Sequence, residues 1–349
     1  MKIPELDYRP RATRGYAPRI ALVGTGGISD SHLNAYRGAG YDVAVICNRT
    51  RAKAEAKRDA WFPDADVLDD LDAVLARDDI EVIDITVHPA ERVAMMEAAL
   101  SAGRHVLSQK PFVLDLDVGE RLVELADRRG VRLAVNQNGR WAPHLAWMRE
   151  AVRAGLIGDR VSCHARVHWD HGWIADTAFD DVDDLILQDF GVHWFDFVVS
   201  LFGDGATGVQ ASRARAPGQA ATPPLLGQAV ITFAEGQASV VFDGAIGIGA
   251  EDTTFVGGTH GSLSSRGPDV SDQRVTLTTA DGRVSPELVG TWFDDGFHGA
   301  MAELLCAIED RREPSHSARG NLASLALMFA AVASSHRREQ VVPGTVRRL

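Results

Sequence analysis

At 349 residues the chain is well beyond the roughly 150 residues of a typical domain, so two domains with sizeable cores are expected. Its 45% hydrophobic and 24% charged residues exclude a disordered chain, and 36 basic against 48 acidic residues give a net charge of −12, which disfavours nucleic acid or an anionic membrane as the main partner. The three cysteines, Cys47, Cys163 and Cys306, are odd in number and far apart, which argues against a disulfide framework or a thiolate metal site and points to the reducing cytoplasm.

No apolar run approaches the roughly 18 residues of a membrane span, and the N-terminus carries prolines and arginines but no apolar signal segment. Residues 1–18 read as an arm, either frayed or docked on a neighbouring subunit. From Arg19 the pattern is regular: a strand over 20–23, the turn Gly24-Thr25-Gly26-Gly27, a helix-like stretch and a strand over 42–47. Helices over 52–61 and 70–77, a strand over 82–87, a helix over 90–102, a strand over 105–107, a helix over 116–129 and a strand over 132–135 continue it. Short apolar strands alternating with helices predict an α/β class with a doubly wound parallel sheet, a Rossmann domain over 19–138.

After Asn138 a helix over 143–154 precedes longer strands over 160–169, 208–213, 227–233, 237–242, 253–257 and 274–279. Two helices, over 299–310 and 319–337, close the chain. They predict an α+β domain over 139–349 with a large, open, mostly antiparallel sheet. Alternation over 161–169 puts His164, Arg166 and His168 on one face, and Val161, Cys163, Ala165, Val167 and Trp169 on the other. The polar face then serves a cleft or a subunit interface.

The glycine turn follows a strand and opens a helix, the context in which it binds a dinucleotide. Gly24 permits the tight turn, Gly26 and Gly27 let backbone approach a pyrophosphate, and Ile28 and Ser29 begin a helix whose N–H groups face the anion. Ser29 stands where a third Gly or Ala is usual. At the end of the second strand, Cys47-Asn48-Arg49-Thr50-Arg51 offers no carboxylate for the ribose hydroxyls. Arg49 can pair with a 2′-phosphate, so NADP(H) is favoured, with NAD(H) held by Asn48 as the alternative.

Two later segments carry the chemistry: Ser108-Gln109-Lys110-Pro111, and Asp189-Phe190-Gly191-Val192-His193-Trp194-Phe195-Asp196. With the GxGG turn, the 98–107 run into Lys110-Pro111, the landmarks at 257–263 and Gly296-Phe297, the chain from residue 19 onward resembles the Gfo/Idh/MocA family of NAD(P)-dependent sugar and polyol oxidoreductases. The resemblance implies hydride transfer between a carbinol carbon and nicotinamide, with His193 as general acid/base. It implies that Lys110 polarises the substrate oxygen and contacts the nicotinamide ribose, and that Asp189 orients substrate and His193. The four-residue spacing lets Asp189 and His193 meet on one helical face, and Asp196 takes a structural hydrogen-bonding role. Val87, His88, Gln109, Lys110 and Gln137 join the cofactor site. Gln109 departs from the family's Glu-Lys-Pro, and 86–92 places its Pro one residue later than the usual Thr-Pro-Asn, with Arg92 for a frequent His.

Asn138, Arg140, His168 and Trp173, with Asp189 and His193, are the expected substrate contacts; amides, Arg and Trp suit a polyhydroxylated ring. His298 is a further candidate. His168, Asp170 and His171 do not have common metal-ligand spacing, so no metal is expected. The reading is a cytoplasmic dehydrogenase of a sugar, sugar derivative or cyclitol, acting as a homodimer or homotetramer. Two alternatives stand beside it: an NAD-dependent glycoside-cleaving enzyme that oxidises its sugar transiently, and a non-catalytic dinucleotide-sensing regulator.

Overall fold

In the computed structural model, which describes residues 2–349, the five strands expected before residue 138 form and a sixth, β3, which was not expected, joins them: β1 (Arg19–Val23), β2 (Val43–Cys47), β3 (Asp66–Leu68), β4 (Ile80–Ile85), β5 (His105–Gln109) and β6 (Leu133–Asn136). All pair in parallel in the order β3-β2-β1-β4-β5-β6. Helices α1 (Ser29–Ala39), α2 (Arg51–Trp61), α3 (Leu71–Leu75), α4 (Pro89–Ser101) and α5 (Leu116–Arg129) connect them. β2 is buried at every residue, as a strand covered on both faces must be. α5 shows how sequence sets its ends: the Asp115 carboxylate accepts from the N–H groups of Asp117 and Val118, and Gly130 closes the helix at φ 69°. The chain leaves β1 on one side and β4 on the other, so their carboxyl ends form the topological switch point where such sheets bind ligands.

The second sheet has eight strands: β7 (Arg160–His168), β8 (Ala206–Ala214), β9 (Leu226–Phe233), β10 (Gln237–Asp243), β11 (Glu251–Gly258), β12 (Gly261–Gly267), β13 (Arg274–Thr279) and β14 (Gly282–Val284). Their order is β14-β13-β12-β11-β7-β10-β9-β8, and every pair but β7–β10 is antiparallel. Helices α6 (Pro143–Arg153), α7 (Val192–Phe202), α8 (Trp292–Glu309) and α9 (Ala318–Arg337) complete the chain. Along β7, Cys163, Ala165 and Val167 are buried, whereas His164 pairs with Ser239 Oγ at 2.7 Å and His168 with Asp243 at 3.1 Å. Val161 departs from the expected alternation, being 47% exposed at the start of the strand.

The chain divides into one unit of Arg9–Trp141 with Phe293–Leu322, and a second of residues 2–8, Ala142–Trp292 and Ala323–Leu349. After the boundary near residue 141 the chain returns to the first unit over Phe293–Leu322. The cause of the return is the apolar face of α8, whose Phe297, Met301 and Leu304 share one core with Ile20, Leu22 and Ile46. The arm, apart from its first residue, which lies outside the described residues, is not frayed. The N–H groups of Arg14, Gly15 and Tyr16 all donate to the Glu309 carboxylate, and Tyr8 Oη accepts from Val289 N at 3.0 Å. These donors hold the Glu309 carboxyl below its usual range. Among the described residues no helix is long and apolar enough to cross a membrane.

Candidate functional site

In the first unit, Gly24 turns at φ 102°, and a side chain there would meet Val87 Cγ1 at 2.8 Å and Thr86 Oγ1 at 2.9 Å. Gly26 and Gly27 differ: a Cβ at either would meet nothing within 4 Å. The protein's own packing does not demand glycine there, which fits a cradle kept open for a ligand's phosphates. Ile28 sits at the N-cap of α1 with no side-chain cap, and the first N–H groups of the helix turn back on the loop, Ser29 N donating to Gly26 O at 3.0 Å and Asp30 N to Gly27 O at 3.3 Å, so what the helix start offers an anion is the positive end of its dipole. Ser29 Oγ donates to Gly26 O at 2.6 Å, so the departure at this position stiffens the turn. Thr25 Oγ1 is buried without a partner, a polar group that a bound dinucleotide would satisfy.

Past β2, Asn48 Nδ2 donates to Thr50 O at 3.1 Å and Arg49 pairs with Glu91 at 2.7 Å. Both line a hollow of about 70 Å³ with Gly24, Asp69, Val87 and Glu91. This corrects one expectation. The sequence shows no carboxylate directly after the second strand, but β3 and α4 bring Asp69 and Glu91 to the same hollow.

At the other end of the switch point, Thr86 Oγ1 donates to Gly24 O at 2.8 Å, and exposed His88 caps α4 with Pro89 in its first turn. The displaced proline thus begins the helix, and Arg92 is buried with Nη1 on the Gln109 carbonyl. Gln109 is 7% exposed and Lys110 follows it through a cis bond to Pro111. After β6, Gln137 is buried with neither end of its amide hydrogen-bonded, a second group whose partner a nicotinamide would supply. Asn138 is buried against Gly296, where a Cβ would come within 2.8 Å of its carbonyl oxygen. Arg140 is buried and its Nη1 donates to Ser315 O, which fixes one edge of the guanidinium on the protein itself. His298 packs on Tyr41 at 5.7 Å, where burial lowers its pKa.

In the second unit, residues Ile186–Phe190 form one π-helical turn that leads into α7, with Gly191 N donating to Ile186 O at 3.0 Å. A side chain at 191 would stand 2.6 Å from Leu187 O, so the motif's glycine is what permits the wide turn between Asp189 and His193. The His193 ring stands perpendicular to Trp292 at 5.6 Å, and Trp292 also meets Trp194 and His144. Burial pushes the His144 pKa down to about 3. Ser324 Oγ donates to Asp196 at 2.8 Å, the structural role expected of that carboxylate.

His168 is corrected. Val167 lines a small apolar hollow with Phe190 and Trp194, and alternation turns His168 to the opposite face of the sheet from α7. His171 takes its place beside the motif: it is buried, 4.0 Å from the Phe190 ring, and burial lowers its pKa to about 4 against the opposing charges of Asp170 and Asp189. Trp173 is 56% exposed, packed edge-on to Phe179 and Phe190. Trp194, on α7, and Trp292, at the start of α8, went unassigned in the sequence because an aromatic residue on an apolar helix reads as core. Among the described residues, the group spaced for a metal is Asp183, Asp184 and His336, and Arg213 already pairs with both carboxylates.

Two family models match the chain: an oxidoreductase family with an NAD-binding Rossmann fold over residues 18–137, and the GFO/IDH/MocA C-terminal domain over residues 145–264. A D-apiose dehydrogenase from Paraburkholderia graminis is 27% identical across 92% of this chain and 88% of its own length. An inositol 2-dehydrogenase from Rhizobium meliloti is 25% identical across 93% and 98%. An oxidoreductase from Agrobacterium radiobacter, solved with NAD+, L-tartaric acid and magnesium, shares the fold at a TM-score of 0.82 and 20% identity over 94% of this chain and 98% of its own.

Proposed function

Starting from the chain's membership of the Gfo/Idh/MocA oxidoreductase family, we propose that it oxidises a carbinol carbon of a sugar, sugar derivative or cyclitol, or reduces the matching ketone. The observation that carries this reading is that Lys110, at the end of β5, and the Asp189–Gly191–His193 turn stand in a chain matched along nearly its whole length to two polyol dehydrogenases. When bound, the nicotinamide ring accepts or returns a hydride at C4. Gly24, Gly26, Gly27 and Ile28 would hold the pyrophosphate, Asn48 and Arg49 the adenosine ribose, and Val87, His88, Gln109, Lys110 and Gln137 the nicotinamide end. His193 takes the hydroxyl proton as the hydride leaves, Lys110 steadies the negative charge growing on that oxygen, and Asp189 orients the substrate and His193. Asn138, Trp173 and His171 complete the substrate side, with Trp173 stacking on the C–H face of the ring.

Arg49 decides the cofactor in this reading, and NADP(H) is preferred. Arg49, which pairs with Glu91 in the structure, would exchange that carboxylate for a 2′-phosphate, because a guanidinium can bind a phosphate bidentately and with more charge. Arg49→Ala should weaken NADPH binding by about ten- to a hundredfold, the loss of one charged hydrogen-bonding pair, and leave NADH nearly unchanged. Fluorescence titration of both cofactors checks this; equal effects would assign the ribose to Asn48 and the preference to NAD(H). The activity itself is tested by following NAD+ or NADP+ reduction against pyranoses, sugar acids, glycosides and inositols. Turnover with a free sugar or inositol supports the reading, and silence across the panel with both cofactors overturns it.

A further inference from the structure

We propose that the buried pair Asp84–His32 positions Lys110, doing through Gln109 what a glutamate before the lysine would otherwise do; the inference rests on the reading of Lys110 given above. His32 comes from α1, Asp84 from the middle of β4 and Gln109 from the end of β5. The first two are 0% exposed and the third 7%, so their hydrogen bonds must be made inside the protein; Asp84 makes its own through Oδ2, while its Oδ1 has no partner.

The hydrogen bonds assign the protons one after another. Lys110 N donates to Gln109 Oε1 at 2.7 Å, which fixes the amide so that Gln109 Nε2 faces His32 Nε2 at 3.0 Å. Asn136 Nδ2 faces the same ring nitrogen at 3.2 Å. An amide NH2 only donates, so His32 Nε2 accepts and carries no proton. The ring proton is therefore on Nδ1, which donates to Asp84 Oδ2 at 2.7 Å, and the Tyr36 hydroxyl donates to that same oxygen at 2.6 Å. The Phe297 ring, 4.6 Å from the imidazole, covers one of its faces. Asp84 thus sets the tautomer, the tautomer sets which end of Gln109 faces the ring, and the other end grips the Lys110 backbone.

A glutamate in place of Gln109 would present only acceptors to His32 Nε2, so the ring would either move its proton there, leaving Asp84 facing a bare nitrogen, or take a second proton and become a buried cation between two carboxylates. One carboxylate suits one neutral ring, and in this chain it stands on the far side of His32 from the lysine. Gln109 and Asp84 are then a matched pair, and exchanging both should preserve what changing either one breaks. In the double variant Asp84→Asn/Gln109→Glu the ring is expected to carry its proton on Nε2 and to donate it to the introduced carboxylate, while the introduced amide donates to Nδ1.

The experiment is a double-mutant cycle read in two ways. Asp84→Asn and Gln109→Glu alone should each lower kcat by about ten- to a hundredfold, the order of the cost of losing a partner that orients a histidine ring. The double variant should turn over at least about tenfold faster than the slower single variant, the signature of coupled neighbours. Independently of turnover, 15N NMR of the His32 ring, assigned by its loss in His32→Gln, should show the proton on Nδ1 in the parent and on Nε2 in the double variant. A parent ring protonated on Nε2, or a double variant as slow as the worse single one, overturns the proposal. If no protein in the set turns over, the reading of Lys110 falls while the NMR still decides the relay.

Discussion

His193→Ala and Lys110→Ala should each reduce kcat by about 10²- to 10⁴-fold, the span of a lost general base or a lost charge against a developing alkoxide. The dinucleotide should still bind to both variants. The reason is a division of labour along the chain. In the proposed reading the pyrophosphate is held by the Gly24–Ile28 turn and the start of α1, which neither substitution touches. His193 stands on a different unit, edge-on to Trp292 and next to Trp194. Steady-state kinetics with a responding substrate, alongside cofactor titration, separates the outcomes: unchanged turnover removes that residue from the mechanism, and lost cofactor affinity with unchanged kcat makes it a binding residue.

The second large effect is on stability. Asp252 lies on β11, 1% exposed, with neither carboxylate oxygen hydrogen-bonded. Burial first, and then the nearby charge of Asp269, raise its pKa to about 7. Because the folded pKa is raised above that of the unfolded chain, the folded state holds a proton between about pH 4 and pH 7 that the unfolded state has lost. Stability from this group is therefore fully present at acid pH and declines as pH rises through 7. A shift of about three units corresponds to up to about 4 kcal/mol at pH 8. Asp252→Asn, which cannot ionise, should match the parent near pH 4 and exceed it by a few kcal/mol at pH 8 in urea unfolding. The buried neutral histidines act with the opposite sign, since His144 at about 3 and His105 at about 4 make the protein lose stability as pH falls below 6.5. The variant-minus-parent difference cancels them, and a difference that does not change with pH would show Asp252 to be ionised or hydrated in the fold.

Elements whose information is local were legible in the sequence. α5 ends at the expected residues because its own cap, Asp115, and its own stop, Gly130, lie beside it. β13 shows the same agreement through its alternating pattern. β12 was missed because Gly-Ser-Leu-Ser-Ser-Arg-Gly holds one large apolar residue, and it is a strand because β11 and β13 pair with it on either side. β3 and β14, at three residues each, are too short for any period to show. The glycine turn, Lys110 and the Asp189–His193 motif could be picked out by chemistry and resemblance. Arg140 and His168 could not be sorted, because both have the right side chains for a sugar, and only tertiary structure shows that one serves Ser315 O and the other faces away from α7. Glu91 and Asp69 escaped notice for the same reason: they lie far from Arg49 in sequence and reach it through the fold.

The measurement that bears most directly on the central claim is isotope transfer. A responding sugar or inositol carrying deuterium at its carbinol carbon is incubated with the enzyme and oxidised dinucleotide, and the reduced cofactor is examined by mass spectrometry and proton NMR. Direct hydride transfer predicts one deuterium at nicotinamide C4, matching the ketone formed, and loss of that signal in His193→Ala. Substrate consumed with the deuterium lost to solvent, or cleaved with no net reduced cofactor, would contradict it.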